Sequence, residues 1–286
     1  MTYGYYPGCS LHSTGAEYDA SFRAVCARMG IDLAEIEGWT CCGSSAAHVA
    51  SHLLSVALPI RNLVRAEERS LASVLVPCAA CFSRFKTAAH DMARDPVLAR
   101  DVEEVVGRRY RASAQILHPL EILADRLGDL AARKTRDLSH LRVVAYYGCL
   151  LTRPPDVMQF DDCEYPQSMD RILRAVGVET LEWSAKTDCC GAALSLSETD
   201  LVLDLTRAIL DEAKAAGANA IAVACPLCHV NLDARQPDVD AKFGTAYGMP
   251  IFYFTQLVAL ALGAAPAELG LSRHLVDPRP LLAVAG

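Results

Sequence analysis

The sequence lacks any surplus of positive charge: 27 Lys and Arg stand against 34 Asp and Glu, a net charge of −7 with the 8 His neutral. That balance removes a general electrostatic attraction to phosphate backbones or anionic lipid, so nucleic acid is not expected as a partner. Long apolar runs are lacking as well. The most apolar stretch, Ile251 to Ala265, is interrupted by Thr255 and Gln256 and falls short of the ~18–20 residues that cross a bilayer. It reads as a strand followed by a buried helix, and no membrane span is expected. The first residues, MTYGYYPGCSLHSTG, show no basic start, apolar core and small-residue cleavage site, so a cytoplasmic protein is the expectation. No Gly-x-Gly-x-x-Gly follows a candidate strand, which removes the flavin and nicotinamide fingerprint. Only 21% of residues are charged and 52% are hydrophobic, which excludes disorder and coiled coil and allows one or two buried cores.

Cysteine is what the sequence has. Twelve cysteines are about 4% of the chain, well under the roughly 8–10% of short disulfide scaffolds. In a reducing compartment, cysteines at fixed spacings are more often metal ligands or redox groups. Their spacing repeats. Tyr5, Tyr6, Pro7, Gly8 and Cys9 are echoed by Tyr146, Tyr147, Gly148 and Cys149; Cys41-Cys42-Gly43 recurs as Cys189-Cys190-Gly191. Pro77-Cys78-Ala79-Ala80-Cys81 recurs as Cys225-Pro226-Leu227-Cys228, with the proline moved inside the pair. Three matches in one order make the chain a duplication and place ten of the twelve cysteines by one rule.

Between the cysteines, short strand-like runs alternate with amphipathic ones, the pattern of parallel sheet layered with helices. The expected strands are Thr2 to Tyr6, Ile31 to Ile36, Val74 to Val76, Leu141 to Tyr146, Val178 to Trp183, Ala220 to Ala224 and Ile251 to Phe254. Helices are expected over Glu17 to Met29, with Tyr18, Phe22, Val25 and Met29 inward, and over Glu198 to Ala215, with Leu201, Leu205 and Ile209 inward. The fold class is therefore α/β in two pseudo-symmetric halves, 1–94 and 141–286, joined by a helical connector over 95–140 whose charges form a solvated face. Most strands run directly into a cysteine motif, and open α/β sheets gather ligands beyond the carboxyl ends of their strands. All five thiols of a half are expected to converge there.

A vicinal pair such as Cys41-Cys42 is a poor disulfide, because adjacent Cα atoms lie about 3.8 Å apart against a usual minimum of about 4.4 Å. A Cys-x-x-Cys alone fits a redox pair, a zinc knuckle or half an iron–sulfur site. Zinc is satisfied by four thiolates and would leave a fifth idle in each half. Two consecutive side chains diverge and serve most naturally as ligands to different metals of one polynuclear centre, which favours an iron–sulfur cluster. Peptide N–H groups in the turns at Gly8-Cys9, Cys42-Gly43-Ser44-Ser45 and Cys190-Gly191 are placed to donate to such sulfurs.

These residues resemble the B-subunit family of heterodisulfide reductase, whose hallmark is a cysteine-rich CCG domain present twice. The likeness includes Tyr5-Tyr6-Pro7-Gly8-Cys9-Ser10-Leu11, Glu17-Tyr18-Asp19, Cys41-Cys42-Gly43, Arg61-Asn62-Leu63 and Pro77-Cys78-Ala79-Ala80-Cys81 in the first half. In the second it includes Phe160-Asp161-Asp162, Cys189-Cys190-Gly191-Ala192, Cys225-Pro226-Leu227-Cys228 and Val230-Asn231-Leu232-Asp233, and it runs to about Gly263. The resemblance implies two noncubane [4Fe-4S] clusters, one on Cys9, Cys41, Cys42, Cys78 and Cys81, the other on Cys149, Cys189, Cys190, Cys225 and Cys228. Zinc in one half stays open as an alternative. It further implies that a disulfide enters between the clusters and is split, each sulfur captured by an iron. Electrons would come from the family's flavin-containing A subunit by way of its C subunit, which carries cubane iron–sulfur clusters. The substrate, small or protein-bound, would belong to a bacterial sulfur-oxidising or a methanogenic-type complex. The alternative is a CCG electron-transfer or anchoring subunit of a lactate, glycolate or succinate oxidising complex without disulfide chemistry; the ferredoxin-type Cys-x-x-Cys-x-x-Cys run frequent in those relatives is missing here.

The remaining candidates read more plainly. Cys26 is a small buried hydrophobe in its helix, and Cys163, outside the five-thiol rule, reads as a bystander, with a redox or ligand role as the alternative. His229 beside Cys228, and His12 after Cys9, have the choice of packing or a plain hydrogen bond, donation to a cluster sulfur, gating protons for a thiolate product, or ligation. His48 and His52 are spaced to share a helix face, without the Glu of a metalloprotease motif. Arg84, Lys86, Arg153 and Lys186 lie near cysteine motifs, where they could steer an acidic substrate, though as surface residues they need no such role.

Overall fold

The computed structural model describes residues 2–44 and 47–283, and so leaves Ser45 of the first turn outside. Two parallel sheets of four strands form the frame. The first contains β1 (Thr2–Tyr5), β2 (Asp32–Glu35), β3 (Ser73–Leu75) and β4 (Gln115–Leu117) in the order β2-β1-β3-β4. The second contains β5 (Arg142–Tyr146), β6 (Glu179–Thr180), β7 (Ala220–Val223) and β8 (Ile251–Tyr253) in the order β6-β5-β7-β8. Central strands such as Val143-Val144-Ala145-Tyr146 and Ala220-Ile221-Ala222-Val223 are buried throughout, as parallel strands covered on both faces must be. The expected strand Val178–Trp183 contracts to Glu179–Thr180 at a sheet edge, because beyond it the indole of Trp183 turns in and donates to the Ala145 carbonyl at 3.0 Å.

The segment over 95–140 is not purely helical: it delivers β4, which pairs with β3 from Ser73↔Gln115 to Leu75↔Leu117. The pairing also fixes how the halves correspond. Tyr5 pairs with Leu75 and Ala145 with Ala222, and Leu75 and Ala222 each lie three residues before a cysteine, Cys78 or Cys225. Tyr6 therefore matches Tyr146, Pro7 matches Tyr147, and by the same count His118 after β4 matches Tyr253 at the end of β8.

Helices cover the sheets. α1 (Ala16–Met29) buries Tyr18, Phe22, Val25 and Met29 as its spacing requires and stops at Gly30, whose φ of 65° places its N–H on the Cys26 carbonyl. α2 (His52–Glu68) begins after Ser51, whose Oγ accepts from Leu54 N. That cap separates a one-turn helix, Ala47–Ala50, from α2, so His48 and His52 do not share a helix and both are exposed. α3 (Ala79–Arg94) is followed by α4 (Pro96–Val106), capped by the Asp95 carboxylate with Pro96 at the first position. α5 (Pro119–Ala124), α6 (Ser168–Ala175), α7 (Thr199–Ala215), α8 (Pro226–Ala234) and α9 (Phe254–Ala261) complete the layers. α7 turns Val202, Leu203, Thr206, Ile209, Leu210 and Ala213 inward; Leu201, expected in its stripe, is 45% exposed. The strand and buried helix expected from Ile251 are β8 and α9.

The halves are packed as one body. α1 of the first lies on α9 of the second, with Ser21 Oγ 2.6 Å from Thr255 Oγ1, and α5 lies on α6. Their apolar side chains form one continuous core. Lys186, expected at the surface, is fully buried: its ammonium lies 2.9 Å from Asp170 Oδ2 and donates to the Pro166 carbonyl. Such a pair holds geometry more than it adds stability, since removing one partner strands the other charge.

His118 is buried completely, its Nε2 2.8 Å from the Pro77 carbonyl and its Nδ1 accepting from Leu120 N. Burial pushes its pKa down to about 4. The folded chain thus refuses a proton that the unfolded chain takes up near pH 6.5, so stability falls as pH drops from about 6.5 and levels off near 4. His118→Gln is expected to flatten the pH dependence of urea unfolding in that window by up to ~1.4 kcal/mol per pH unit, measured against the unaltered chain.

Candidate functional site

In each sheet the chain leaves the first strand to one side and returns on the other, which opens a crevice at the carboxyl ends of β1 and β3, and of β5 and β7. Cys9 follows β1, Cys41 and Cys42 follow β2, and Cys78 follows β3 and opens α3, which carries Cys81. Cys149, Cys189, Cys190, Cys225 and Cys228 occupy the same places after β5, β6 and β7 and on α8. The duplication thus delivers five thiols to each of two crevices.

Every one of these thiols is free. Cys42 Sγ is 3.1 Å from Cys81 Sγ, and Cys149 Sγ is 3.8 Å from Cys189 Sγ. Cys9, Cys41 and Cys189 are exposed, Cys149 is half-buried, and the other six are buried. The thiols share charge unequally. Donation from Cys41 first, and Cys81 second, pulls Cys42 down to about 4, and donation from Cys149 pulls Cys189 down to about 6. Cys225 is held well below the usual thiol range by Cys228 first and then by Cys78. The last influence crosses the molecule: Cys78 of the first set lies near enough to Cys225 of the second for the two thiols to shift each other.

The loops around the sulfurs are built alike in both halves. Gly43 N and Gly191 N donate to Cys41 Sγ and Cys189 Sγ, each at 3.4 Å. The phenol of Tyr6 donates to the Thr40 carbonyl at 2.8 Å, and that of Tyr146 to the Asp188 carbonyl at 2.6 Å, each just before a vicinal cysteine pair. Asn62 clamps Thr40 through N and O, Arg61 donates to Thr40 Oγ1, and Asn231 donates to the Cys190 carbonyl. The sequence displayed these residues as motif neighbours of the cysteines; their task of fixing the loops emerges only in three dimensions.

The remaining candidates fall outside the thiol sets. Cys26 is buried in α1, where desolvation lifts its thiol to about 12. Cys163 lies in a loop where its carbonyl accepts from Thr152 and Arg153. Arg153 is bound to Glu164 and Thr187, Lys86 lies over the Phe82 ring, Arg84 is half-buried on α3, and His12 faces Glu35 at 3.5 Å. His229 stacks on Tyr253 at 4.3 Å with Nε2 3.1 Å from the Ile251 carbonyl, a packing role.

His229, Asp233 and His274 are the one group among the described residues with three ligand atoms within 4.8 Å of one another. Their lone pairs are largely used. The Asp233 carboxylate accepts from Leu275 N and Val276 N, and Gln256, oriented by Tyr253 N and the Leu269 carbonyl, donates to His274 Nε2. The His274 proton therefore sits on Nδ1, and the group straps the C-terminal segment to α8. No three of the ten thiols, by contrast, come within 4.8 Å of one another among the described residues.

A family model described as "Cysteine-rich domain" (CCG) matches residues 3–86 and again 143–233. The chain is 29% identical to the B subunit of the ferredoxin:CoB-CoM heterodisulfide reductase of Methanosarcina mazei, over 96% of this chain and 94% of the relative. It belongs to the heterodisulfide reductase B-subunit family of duplicated CCG proteins. Among these relatives, the 8-methylmenaquinol:fumarate reductase membrane anchor subunit of Wolinella succinogenes is 30% identical over 98% of both chains. A hypothetical protein from Helicobacter pylori shares the fold, with a TM-score of 0.79 at 13% identity over 96% of this chain, which spans about half of that structure, 52%. No helix among the described residues of this CCG protein is long and apolar enough to cross a membrane.

Glycines keep the sulfurs accessible to one another. A Cβ at Gly148, where φ is 70°, would lie 3.0 Å from Cys228 Sγ, whereas one at Gly107, also at φ 70°, would meet nothing within 4 Å. Gly148→Ala is expected to lose about 1–3 kcal/mol, more than Gly107→Ala, in urea unfolding; equal losses would show that the sulfur contact carries nothing.

Proposed function

We propose that this chain is an oxidoreductase subunit that makes or breaks disulfide bonds, each five-thiol set holding an iron–sulfur cluster of the noncubane [4Fe-4S] type. The gathering of five thiols at each of two crevices, with no three of them close enough together for one ion among the described residues, is the observation that carries this reading. Four thiolates on one zinc sit about 3.8 Å apart along every edge of the tetrahedron, and the ten thiols nowhere gather three within 4.8 Å among the described residues. Ligands so spaced suit a centre of several metal atoms. When bound, such a centre supplies electrons and iron sites with affinity for sulfur.

The chain's own groups prepare that chemistry. Cys78 and Cys225 open α3 and α8, where the positive ends of the helix dipoles favour anionic sulfur. The N–H groups of Gly43 and Gly191 add fixed donors at the exposed rim. The mutual influence of Cys78 and Cys225 supports a common seam between the two sets, the place for a disulfide to be handled by both. No flavin or nicotinamide fingerprint is in the sequence, so electrons are to be exchanged in the cytoplasm with partners, the cubane-cluster C subunit and the flavin-containing A subunit of a heterodisulfide reductase-type complex. Sulfur-oxidising and methanogenic-type complexes both fit.

A second reading has its own support. The relative at 30% identity is named a membrane anchor subunit of a fumarate reductase, which favours an electron-transfer or anchoring subunit without disulfide chemistry. Disulfide reduction by the anaerobically purified chain with an artificial electron donor separates the two: turnover supports the first reading, and full cluster content without turnover supports the second. Cys190→Ser is expected to lose about half of the iron while the first set keeps its share. Unchanged iron and acid-labile sulfide in that variant would remove Cys190 from the ligand set.

A further inference from the structure

The fourth strand of each sheet carries no cysteine, yet it ends at the same crevice. β8 closes on Tyr253, whose ring is held between two others: Tyr18 of α1 at 4.5 Å and 11°, and His229 at 4.3 Å and 7°. Tyr18 belongs to the first half and Tyr253 to the second, so the stack bridges the seam between the halves. A Cβ built at Gly15 would lie 3.2 Å from Tyr253 Oη and 3.1 Å from Cβ of Pro226, the residue after Cys225. The Tyr253 hydroxyl is thereby placed near Pro226, at the start of the helix that Cys225 opens.

Six tyrosines are fully buried: Tyr5, Tyr6, Tyr18, Tyr146, Tyr147 and Tyr253. Four of them donate to a protein oxygen, Tyr5 to Asp19, Tyr6 to Thr40, Tyr146 to Asp188 and Tyr147 to Asp170. The hydroxyls of Tyr18 and Tyr253 have no partner among the described residues. A buried hydroxyl left unpaired is destabilising, and here two such groups face one junction. His118, the counterpart of Tyr253 in the first half, uses both ring nitrogens on Pro77 and Leu120, so the end of β4 offers no donor to match that at the end of β8.

Resting on the function proposed above, we infer that Tyr18 and Tyr253 are positioning residues that donate hydrogen bonds to anionic sulfur at the seam between the two thiol sets. Burial first, and then negative charge at Cys225 and Cys78, keeps the Tyr18 phenol protonated; burial, Glu17 and Cys225 do so for Tyr253. Both remain donors wherever a thiol is ionised. The sulfur that accepts is either bound in the site, as thiolate or sulfide, or arrives with a thiol or disulfide substrate. In either case donation favours the more negatively charged, reduced state.

Tyr18→Phe and Tyr253→Phe, with Tyr5→Phe as control, test this in the full chain prepared without oxygen. Iron, acid-labile sulfide and thermal unfolding are measured first, followed by redox titration monitored by electron paramagnetic resonance, with and without 2-mercaptoethanol. Both variants are expected to keep their iron and to show a several-fold lower ratio of reduced to oxidised centres at fixed ambient potential, tenfold being about 59 mV for a one-electron couple. Tyr5→Phe should leave the ratio unchanged. A shift without thiol identifies site-bound sulfur as the acceptor, and a shift only with thiol identifies the incoming sulfur. Ratios equal to the unaltered chain in both conditions, with iron retained, would overturn the inference and leave an ordered water as partner of the hydroxyls. Absence of iron from the unaltered chain would instead overturn the proposed function.

Discussion

Sulfur crowded against sulfur inside a protein is an electrostatic burden, and the architecture is arranged around carrying it. Thiolates repel one another and lose hydration when buried, so they persist only where donors and dipoles face them. Parallel strands meet this requirement directly. Their carboxyl ends open onto helix N-termini, and Cys78 and Cys225 stand at two of these. Glycine turns supply further N–H groups at Cys41 and Cys189. A thiol that lowers its neighbour's pKa raises its own, which is why Cys42 and Cys41 depart in opposite directions.

Duplication doubles this arrangement and also turns the two copies toward each other. α1 on α9 and α5 on α6 are equivalent contacts that hold the sheets in one body, and Cys78 and Cys225 lie near enough across the seam to shift each other. The halves then diverge where function would ask for direction. Tyr253 presents a free hydroxyl where His118 is saturated, and among the described residues only the second half contains a buried ion pair of the kind formed by Lys186 and Asp170 behind its thiols. Leu150, Leu194, Leu227 and Val230 are exposed apolar residues around the second set, whereas Ala80 and Ser83, at the places of Leu227 and Val230 in the first, are buried.

Much of this was legible in the sequence because it is periodic. The repeat of Cys9, Cys41-Cys42 and Cys78-x-x-Cys81 announced the duplication, and strand-like runs ending in cysteines announced a parallel α/β fold with its site at the strand ends. The family likeness followed from the same residues. What escaped notice lacked a local signal. β4 is three residues long within a charged stretch, and only the analogy with β8 would have exposed it. The buried face of α7 begins at Val202 rather than Leu201 because both are apolar and periodicity alone leaves the phase free. Lys186 is buried by a partner, Asp170, that lies on another element, and Tyr18 meets Tyr253 only because the two ends of the chain fold together.

What the ten thiols grip decides the chemistry open to this chain. An anomalous-scattering map at the iron and zinc edges, from crystals grown without oxygen, tests that most directly. Several iron atoms within each group, one on Cys9, Cys41, Cys42, Cys78 and Cys81 and one on Cys149, Cys189, Cys190, Cys225 and Cys228, is the result predicted. A single zinc in each crevice, or disulfides in place of metal, would contradict it.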